Sequence, residues 1–358
     1  MKKFLLVRLG SLGDILLATP AIRALKEQEP SCQIDVVVYD RFAAALAHHP
    51  DLGRIILVPK KELKRELFQG KYIHFTRRLI EFIKDLRSVQ YDYVIDFHNV
   101  TDSALVALFA RGRVKAGHKK QLLSLPFKVR SSFDNNFASA TIHAAKANLK
   151  FLIDAGCLPE TALSAKLRLE FFGSETAPAF IDEYLVQRNL QGKLIIGINP
   201  CASYDFKRWS AERFAAVADI LAKKNNATIL LFGSPNEQSI INQVMGAMQE
   251  PAIDTSSLTL FQAFELIGRL KLFVTNDSAP MHVAAALGTP LVAIHGPINL
   301  KKFYPLADQV RSISKKLPCL PCKDIAACKA RLCFDLVTVD EVYQACLDLL
   351  VPAPNQTR

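Results

Sequence analysis

No stretch of this chain approaches the roughly 20 consecutive apolar residues that a membrane-spanning helix requires. The apolar start Phe4-Leu5-Leu6-Val7 imitates a signal peptide, but Arg8 and Asp14 interrupt it and no small-residue cleavage site follows a long apolar core. A mature cytoplasmic N-terminus is the expectation. Charged residues make up 22% of the chain and hydrophobic residues 50%, a balance that excludes a disordered polypeptide. Gly-x-Gly-x-x-Gly does not occur, which disfavours a dinucleotide-dependent dehydrogenase, and no P-loop with its lysine is present, which disfavours an NTPase. There is also no Asp-x-Asp triplet of the kind that often holds a metal against a diphosphate. Any such charge would have to be met by lysine, arginine and helix N-termini.

What is present fills two domains. A chain of 358 residues is long enough for two separate cores. In the first half, strand-like runs at Phe4–Val7, Gln33–Val38, Arg54–Val58 and Tyr93–Asp96 alternate with helical patterns at Pro20–Glu27, Arg41–Ala47, Phe75–Ser88 and Ser103–Phe109. A longer helix is expected over Ala140–Ala155. The segment Phe171–Phe180, with Gly173, Ser174, Thr176 and Pro178, reads as a linker. The alternation then restarts. Strands are expected at Leu194–Ile198, Thr228–Phe232, Leu272–Val274 and Leu291–Ile294, and helices at Ala211–Lys223, Asn236–Met248, Leu260–Leu270, Pro280–Ala286 and Val339–Leu350. Such alternation predicts parallel sheets covered on both faces: α/β, with two doubly wound halves facing each other. The expected boundaries are 1–172, 181–336 and a closing helical segment 337–358.

One device occurs in both halves. Phe4–Val7 runs into Arg8-Leu9-Gly10-Ser11-Leu12-Gly13-Asp14, and Leu272–Val274 into Thr275-Asn276-Asp277-Ser278-Ala279-Pro280-Met281-His282. Each is a buried strand, a small-residue turn and a helix start. Anions bind helix N-termini, and ligands of open α/β sheets sit at strand C-terminal ends. Asp14 in isolation is most simply a helix-capping aspartate, but two glycines and a serine leave room for a ligand at the backbone. Pro280 suits a first helical turn, and Ser278 is placed to cap it. A third turn, Asn199-Pro200-Cys201-Ala202-Ser203-Tyr204-Asp205-Phe206-Lys207-Arg208-Trp209, offers hydroxyls and two cations to a phosphate. Trp209, the only tryptophan, reads as core. In Phe232-Gly233-Ser234-Pro235-Asn236-Glu237, Glu237 is placed to accept from ribose hydroxyls, although a first-turn glutamate also simply suits a helix dipole.

The net charge of +11 calls for an acidic partner: nucleic acid, anionic membrane or a phosphorylated substrate. Basic residues gather at Lys60, Lys61, Lys64, Arg65, Lys71, Arg77 and Arg78, and again at Arg111, Arg113, Lys115, Lys119 and Lys120. A solvated helix face is the ordinary explanation; an acidic acceptor over the first domain, or RNA, would also account for them. Interleaved aromatics for base stacking are sparse, so no nucleic-acid partner is expected. Of eight cysteines, four form Cys319-x-x-Cys322-x5-Cys328-x4-Cys333. That spacing is irregular for structural zinc, and reduced thiols are preferred over a metal site.

Taken together, these residues resemble bacterial glycosyltransferase family nine, the ADP-heptose:lipopolysaccharide heptosyltransferases. The resemblance spans nearly the whole chain. It rests on Val7 to Ile15 with Thr19-Pro20-Ala21-Ile22-Arg23-Ala24-Leu25, and on Thr275 to Pro290. His143 to Asn148, Lys207-Arg208-Trp209 and the Cys-Leu-Pro-Cys loop add support. The resemblance implies a GT-B fold whose last helix crosses back to the first domain. It implies an acceptor-binding first domain, a nucleotide-sugar-binding second domain, and inverting, metal-independent transfer of heptose from ADP-heptose to the inner core of lipopolysaccharide. Asp14 then looks like the general base, Lys207 like a pyrophosphate clamp with Ser203 nearby, Glu237 like a ribose contact, and Asp277, Ser278, Ala279 and His282 like the donor loop. The acceptor, Kdo-lipid A or a heptosylated core, would meet Ser11, Lys60, Lys61 and Lys64. No cofactor and no metal are expected, and a monomer in peripheral contact with the cytoplasmic face of the inner membrane is. One departure is Ala279, where the family usually has glycine. The rival readings are a related transferase with another sugar or acceptor, and a nucleotide-sugar-binding protein without transfer activity.

Overall fold

The computed structural model describes residues 1–133, 140–322, 328 and 330–351. It divides into two compact units, one built on residues 1–133 and 142–172, the other on 140–141 and 173–351. No helix among the described residues is long and apolar enough to cross a membrane.

The first unit holds a six-stranded parallel sheet: β1 (Lys3–Val7), β2 (Gln33–Tyr39), β3 (Ile55–Val58), β4 (Tyr91–Asp96), β5 (Gly112–His118) and β6 (Val129–Ser131), in the order β3-β2-β1-β4-β5-β6. Val7 pairs with both Val37 and Asp96, so β1 is central. Its apolar run is buried on both faces, with Leu5 and Val7 at 0% exposure. Such two-sided burial is why the strand reads as continuous hydrophobics rather than as an alternation.

The second unit repeats the plan with β7 (Ile195–Asn199), β8 (Thr228–Leu231), β9 (Ala252–Asp254), β10 (Leu272–Asn276), β11 (Leu291–Ile294) and β12 (Val310–Ile313), ordered β12-β11-β10-β7-β8-β9. Numbered from its own first strand this is the same 3-2-1-4-5-6 order, the doubly wound dinucleotide-fold arrangement. In each sheet the strand order reverses between the first and fourth strands: β1/β4 in one, β7/β10 in the other. Ligand sites of such sheets lie outside the strand C-termini at that reversal.

The eight expected strands are all present. The four that were not anticipated, β5, β6, β9 and β12, lie at or next to a sheet edge and are shorter in apolar content or half-exposed. The expected helix over Arg41–Ala47 is a tighter 3-10 run, Asp40–Leu46. The helix Lys60–Phe68 was not anticipated. The last helix, Val339–Leu350, is present as expected, with Val342, Ala345 and Cys346 buried in the same core as Trp209, Phe214 and Val274. Trp209 is core, as expected: it is 2% exposed and its indole donates to the Val337 carbonyl at 3.2 Å.

Candidate active site

At the β1/β4 reversal the chain leaves β1 through Arg8 and enters a short helix, Leu12–Leu16, capped by Ser11. Ser11 and Asp14 form a reciprocal capping box: the Ser11 amide and hydroxyl both donate to Asp14 Oδ2 at 2.9 Å. That is the ordinary role of a first-turn aspartate. Arg8 adds something the motif did not signal. It is 7% exposed, donates from Nη2 to Asp14 Oδ1 at 2.9 Å and from Nε to the Asp14 carbonyl at 3.1 Å, and anchors itself on the Phe97 carbonyl at 2.6 Å. The Phe97 carbonyl lies just past β4, so one guanidinium ties the two sides of the reversal together.

Burial pushes the Asp14 carboxyl up, but the Arg8 charge and the two Ser11 hydrogen bonds outweigh it, and the group sits below the usual carboxylate range. It is therefore an anion at neutral pH. Its side chain remains 27% exposed. A carboxylate has about four lone-pair sites, and three are taken by Arg8 and Ser11, so one remains for a further donor. Gly10 is there because a Cβ would lie 2.6 Å from Asp14 Oδ2. Asn148 donates to the Leu17 carbonyl at 2.8 Å, fixing the far end of the same helix to helix Ala144–Asp154.

Beside it, after β4, Asp96 accepts from the amides of His98 and Asn99 and from the Ser103 hydroxyl, all at 3.0 Å. This holds a loop with Asn99 at φ 61. Burial, with Arg8 adding to it, lowers His98 to about 4, so it is a neutral imidazole, and its Nδ1 is buried without a protein hydrogen-bond partner.

The basic residues expected around this edge divide. Lys60 sits at the edge and is already engaged, 2.7 Å from Asp102 and 3.0 Å from the Tyr39 hydroxyl. Lys61 and Lys64 are exposed on the helix that Lys60 begins, Lys64 lying over the Phe68 ring.

In the second unit, the β7/β10 reversal is built by three asparagine and serine contacts. Asn199 donates to Thr275 Oγ1 at 2.9 Å and Ser278 Oγ at 3.0 Å, and Asn276 donates to the Pro200 carbonyl at 2.8 Å. Asn276 Oδ1 in turn accepts from the Trp209 amide at 3.0 Å. Ser278 occupies the N-cap position of helix Ala279–Leu287, but its side chain makes no capping hydrogen bond because Asn199 and Thr275 hold it. The N-cap side chain thus accepts from none of that helix's first-turn amides, correcting the expectation that Ser278 caps. Pro280 is in the first turn, as expected.

Lys207 reaches this helix start and pairs with Asp277 at 2.7 Å; the side chains are 23% and 8% exposed. The structure thus joins Lys207, Asp277, Ser278 and Ala279 at one strand-end. Arg208, expected as a second cation, does different work. Its guanidinium donates twice to the Ala202 carbonyl, at 2.8 and 2.9 Å, and also pairs with Asp205. It fixes the loop that carries Lys207. Ser203 lies exposed on that loop. Glu237 stands after β8 with Oε2 engaged by the Ser234 amide and hydroxyl at 2.9 and 2.7 Å, a capping box. His282 is buried one turn into the helix.

His295, at the end of β11, is fully buried; Nε2 lies 3.3 Å from Ser312 Oγ and Nδ1 has no protein partner. Burial lowers it to about 4 against the pull of Asp277. The sequence assigned no site role to His98, His295 or Arg8, although a lone arginine ending an apolar strand is the signal that would have found Arg8. Cys333 is buried and Cys319 and Cys328 are exposed, all as free thiols. Among the described residues no three His, Cys, Asp or Glu side chains gather as a metal site.

Each unit thus carries charged side chains at its own sheet reversal, Arg8 with Asp14 in the first and Lys207 with Asp277 in the second. A family model described as glycosyltransferase family 9 (heptosyltransferase) matches residues 79–331. The chain is 27% identical over 299 residues to lipopolysaccharide heptosyltransferase 3 of Escherichia coli, covering 79% of this chain and 80% of that one. Its fold is similar to that of the glycosyl transferase family 9 protein from Veillonella parvula (TM-score 0.80, 23% identity, 98% of both chains). It is similar also to E. coli ADP-heptose lps heptosyltransferase II (TM-score 0.75, 24% identity, 98% of both chains). With more than half of its length matched by the family model, the chain belongs to glycosyltransferase family 9, the heptosyltransferase family.

Proposed function

We propose that this enzyme transfers heptose from ADP-heptose to an acidic, lipid-linked saccharide of the lipopolysaccharide inner core, with inversion and without a metal. The observation that carries this reading is the Lys207–Asp277 pair at the start of helix Ala279–Leu287, where side-chain capping is absent. A departing diphosphate needs positive charge where its own charge develops. Lys207 and the helix N-terminus supply it from fixed positions, since Arg208 and Asn199 hold their loops. Glu237 keeps one carboxylate oxygen for the ribose, and Ser203, Ala279 and His282 complete the donor contacts. The methyl of Ala279 keeps phosphate slightly farther from the backbone than glycine would.

Proton removal belongs to Asp14. As the acceptor hydroxyl attacks the anomeric carbon, its proton passes to the free lone pair of Asp14 and the bond to ADP breaks. Arg8 keeps Asp14 ionised and oriented, which favours readiness over basicity. Ser11, Lys61 and Lys64 are assigned to the acceptor, with Lys60 acting through its contact with Asp102. The acceptor hydroxyl is that of Kdo or of a first heptose, at the cytoplasmic face of the inner membrane. Mass spectrometry of lipopolysaccharide from a deletion strain tests the proposal. The core should lose heptose and regain it on complementation; an unaltered core would reject it.

A further inference from the structure

The helical hairpin after β3 gives the chemistry above only the lysines at its start; its far end, from Phe68 onward, has no part in it. Its helices, Lys60–Phe68 and Tyr72–Leu86, are joined through Gly70 at φ +68 and stapled by Arg78, which donates to Glu66 at 2.8 and 3.0 Å. Glu66 is 5% exposed, so the pair fixes the two helices together. The surface they present is apolar where water should meet polar groups. Ile73 is 85% exposed, Phe68 79% and Tyr72 65%, and Ile80 extends the strip along the second helix. Singly exposed apolar residues mean nothing, but a contiguous group at one tip marks a contact surface.

The charge around the tip names the partner. Residues 60–86 carry eight Lys and Arg against four Asp and Glu, a net of +4 out of the chain's +11. Lys61, Lys64, Lys71 and Lys84 are exposed and, among the described residues, enter no ion pair. A second protrusion repeats the composition. After β5, on the same C-terminal edge of the sheet, Leu122 (76% exposed) and Leu125 (59%) stand among the exposed Lys119, Lys120 and Lys128. A protein partner's apolar patch would not need this ring of unpaired lysines, and an RNA would not need Ile73 and Leu122. Anionic headgroups over an acyl layer match both features, with apolar tips entering the interface and lysines lying at the phosphates.

We propose that the hairpin 60–86, aided by the 119–128 loop, docks the protein onto an anionic phospholipid bilayer. The proposal does not depend on the sugar-transfer reading, because lipid would be bound whether or not Asp14 acts as a base. The test is co-sedimentation of the full chain with vesicles of phosphatidylethanolamine and phosphatidylglycerol, and with phosphatidylcholine alone. Wild type should bind the anionic vesicles, bind phosphatidylcholine poorly, and release as salt is raised. Lys71→Ala/Lys84→Ala should weaken binding about 25-fold, at about fivefold per lysine near the surface. Phe68→Ser/Ile73→Ser should weaken it at least about tenfold through lost apolar burial. Both variants should keep the wild-type melting temperature and ADP affinity, since the altered side chains are exposed and lie in the first unit. Absence of binding to anionic vesicles would overturn the proposal, as would wild-type binding by Phe68→Ser/Ile73→Ser. So would lipid-free self-association that this variant abolishes, which would mark the tip as an interface between copies. Single-stranded RNA binding that requires the lysines but not Phe68 and Ile73 would overturn it in favour of nucleic acid.

Discussion

Replacing Arg8 with Met should separate the ionised, oriented Asp14 from a merely present one. Methionine keeps most of the buried stem and removes the guanidinium. Lost are two hydrogen bonds to Asp14, one of them to its charge, and the bond to the Phe97 carbonyl. A bond to a charged group is worth about 1.5–3 kcal/mol, and a buried carbonyl left unpaired costs about 1–3 kcal/mol. Asp14 is partly exposed, so water recovers some of the first, and a net loss of about 3 kcal/mol follows. In a unit of this size each kcal/mol moves the midpoint by about 2–4 °C, so Tm should fall by about 6–12 °C. The pH dependence should move too. In the wild type the Asp14 carboxyl lies below its ordinary value, so the stability it contributes is present above the unfolded-state pKa and is lost as pH falls through the lower folded value. Without Arg8, burial is opposed by Ser11 and the weaker pull of His98, the carboxyl rises, and the acid limb of kcat/KM shifts to higher pH. Scanning calorimetry and a kcat/KM profile read both effects. An unchanged Tm with an unmoved acid limb would refute the role given to Arg8.

Lys207→Ala should weaken ADP binding by about 1.5–3 kcal/mol, because a charge-assisted contact is lost beside the buried Asp277 carboxylate; calorimetry showing unchanged affinity would reject the clamp. Stability should fall as pH drops from 6.5 towards 4, because His295 stays neutral in the folded chain while the unfolded chain takes up the proton. His295→Asn should flatten that dependence, visible in urea midpoints measured across the range. Transfer should survive EDTA, since fixed cations and a helix terminus already face the leaving group; loss with EDTA and recovery with magnesium would contradict this. Gly296→Ala should cost about 1–3 kcal/mol, as its Cβ would lie 2.2 Å from the buried Phe334 ring, and a wild-type denaturation midpoint would count against it.

The doubly wound plan was legible because buried parallel strands leave uninterrupted apolar runs, as at Phe4–Val7 and Leu291–Ile294, each bounded by a small-residue turn. Edge strands leave no such mark: β5 carries Gly112, Arg113 and Lys115, which read as a basic cluster before they read as a strand. The strand-end turns that carry Asp14, Lys207 and Asp277 were legible because small and charged residues follow directly on an apolar run. It was not legible where a contact spans strands far apart in sequence. Arg8 acts through Phe97 and Asn199 through Thr275, pairings that only the sheet order creates. The two expected cations of the Lys207-Arg208 pair parted because the neighbouring loop carbonyl of Ala202 needed a donor. Ser278 gave up its capping role because Asn199 reached it first.

The most direct test of the account is transfer in vitro, following ADP release and the mass of the lipid-linked product with purified ADP-heptose and heptose-deficient core as acceptor. Wild type should release ADP in step with heptosylated product. Asp14→Asn should bind ADP-heptose almost normally and turn over about 10²–10⁴-fold more slowly, the usual worth of a general base. Transfer by Asp14→Asn at the wild-type rate, or no heptosylated product from the wild type, would contradict the account.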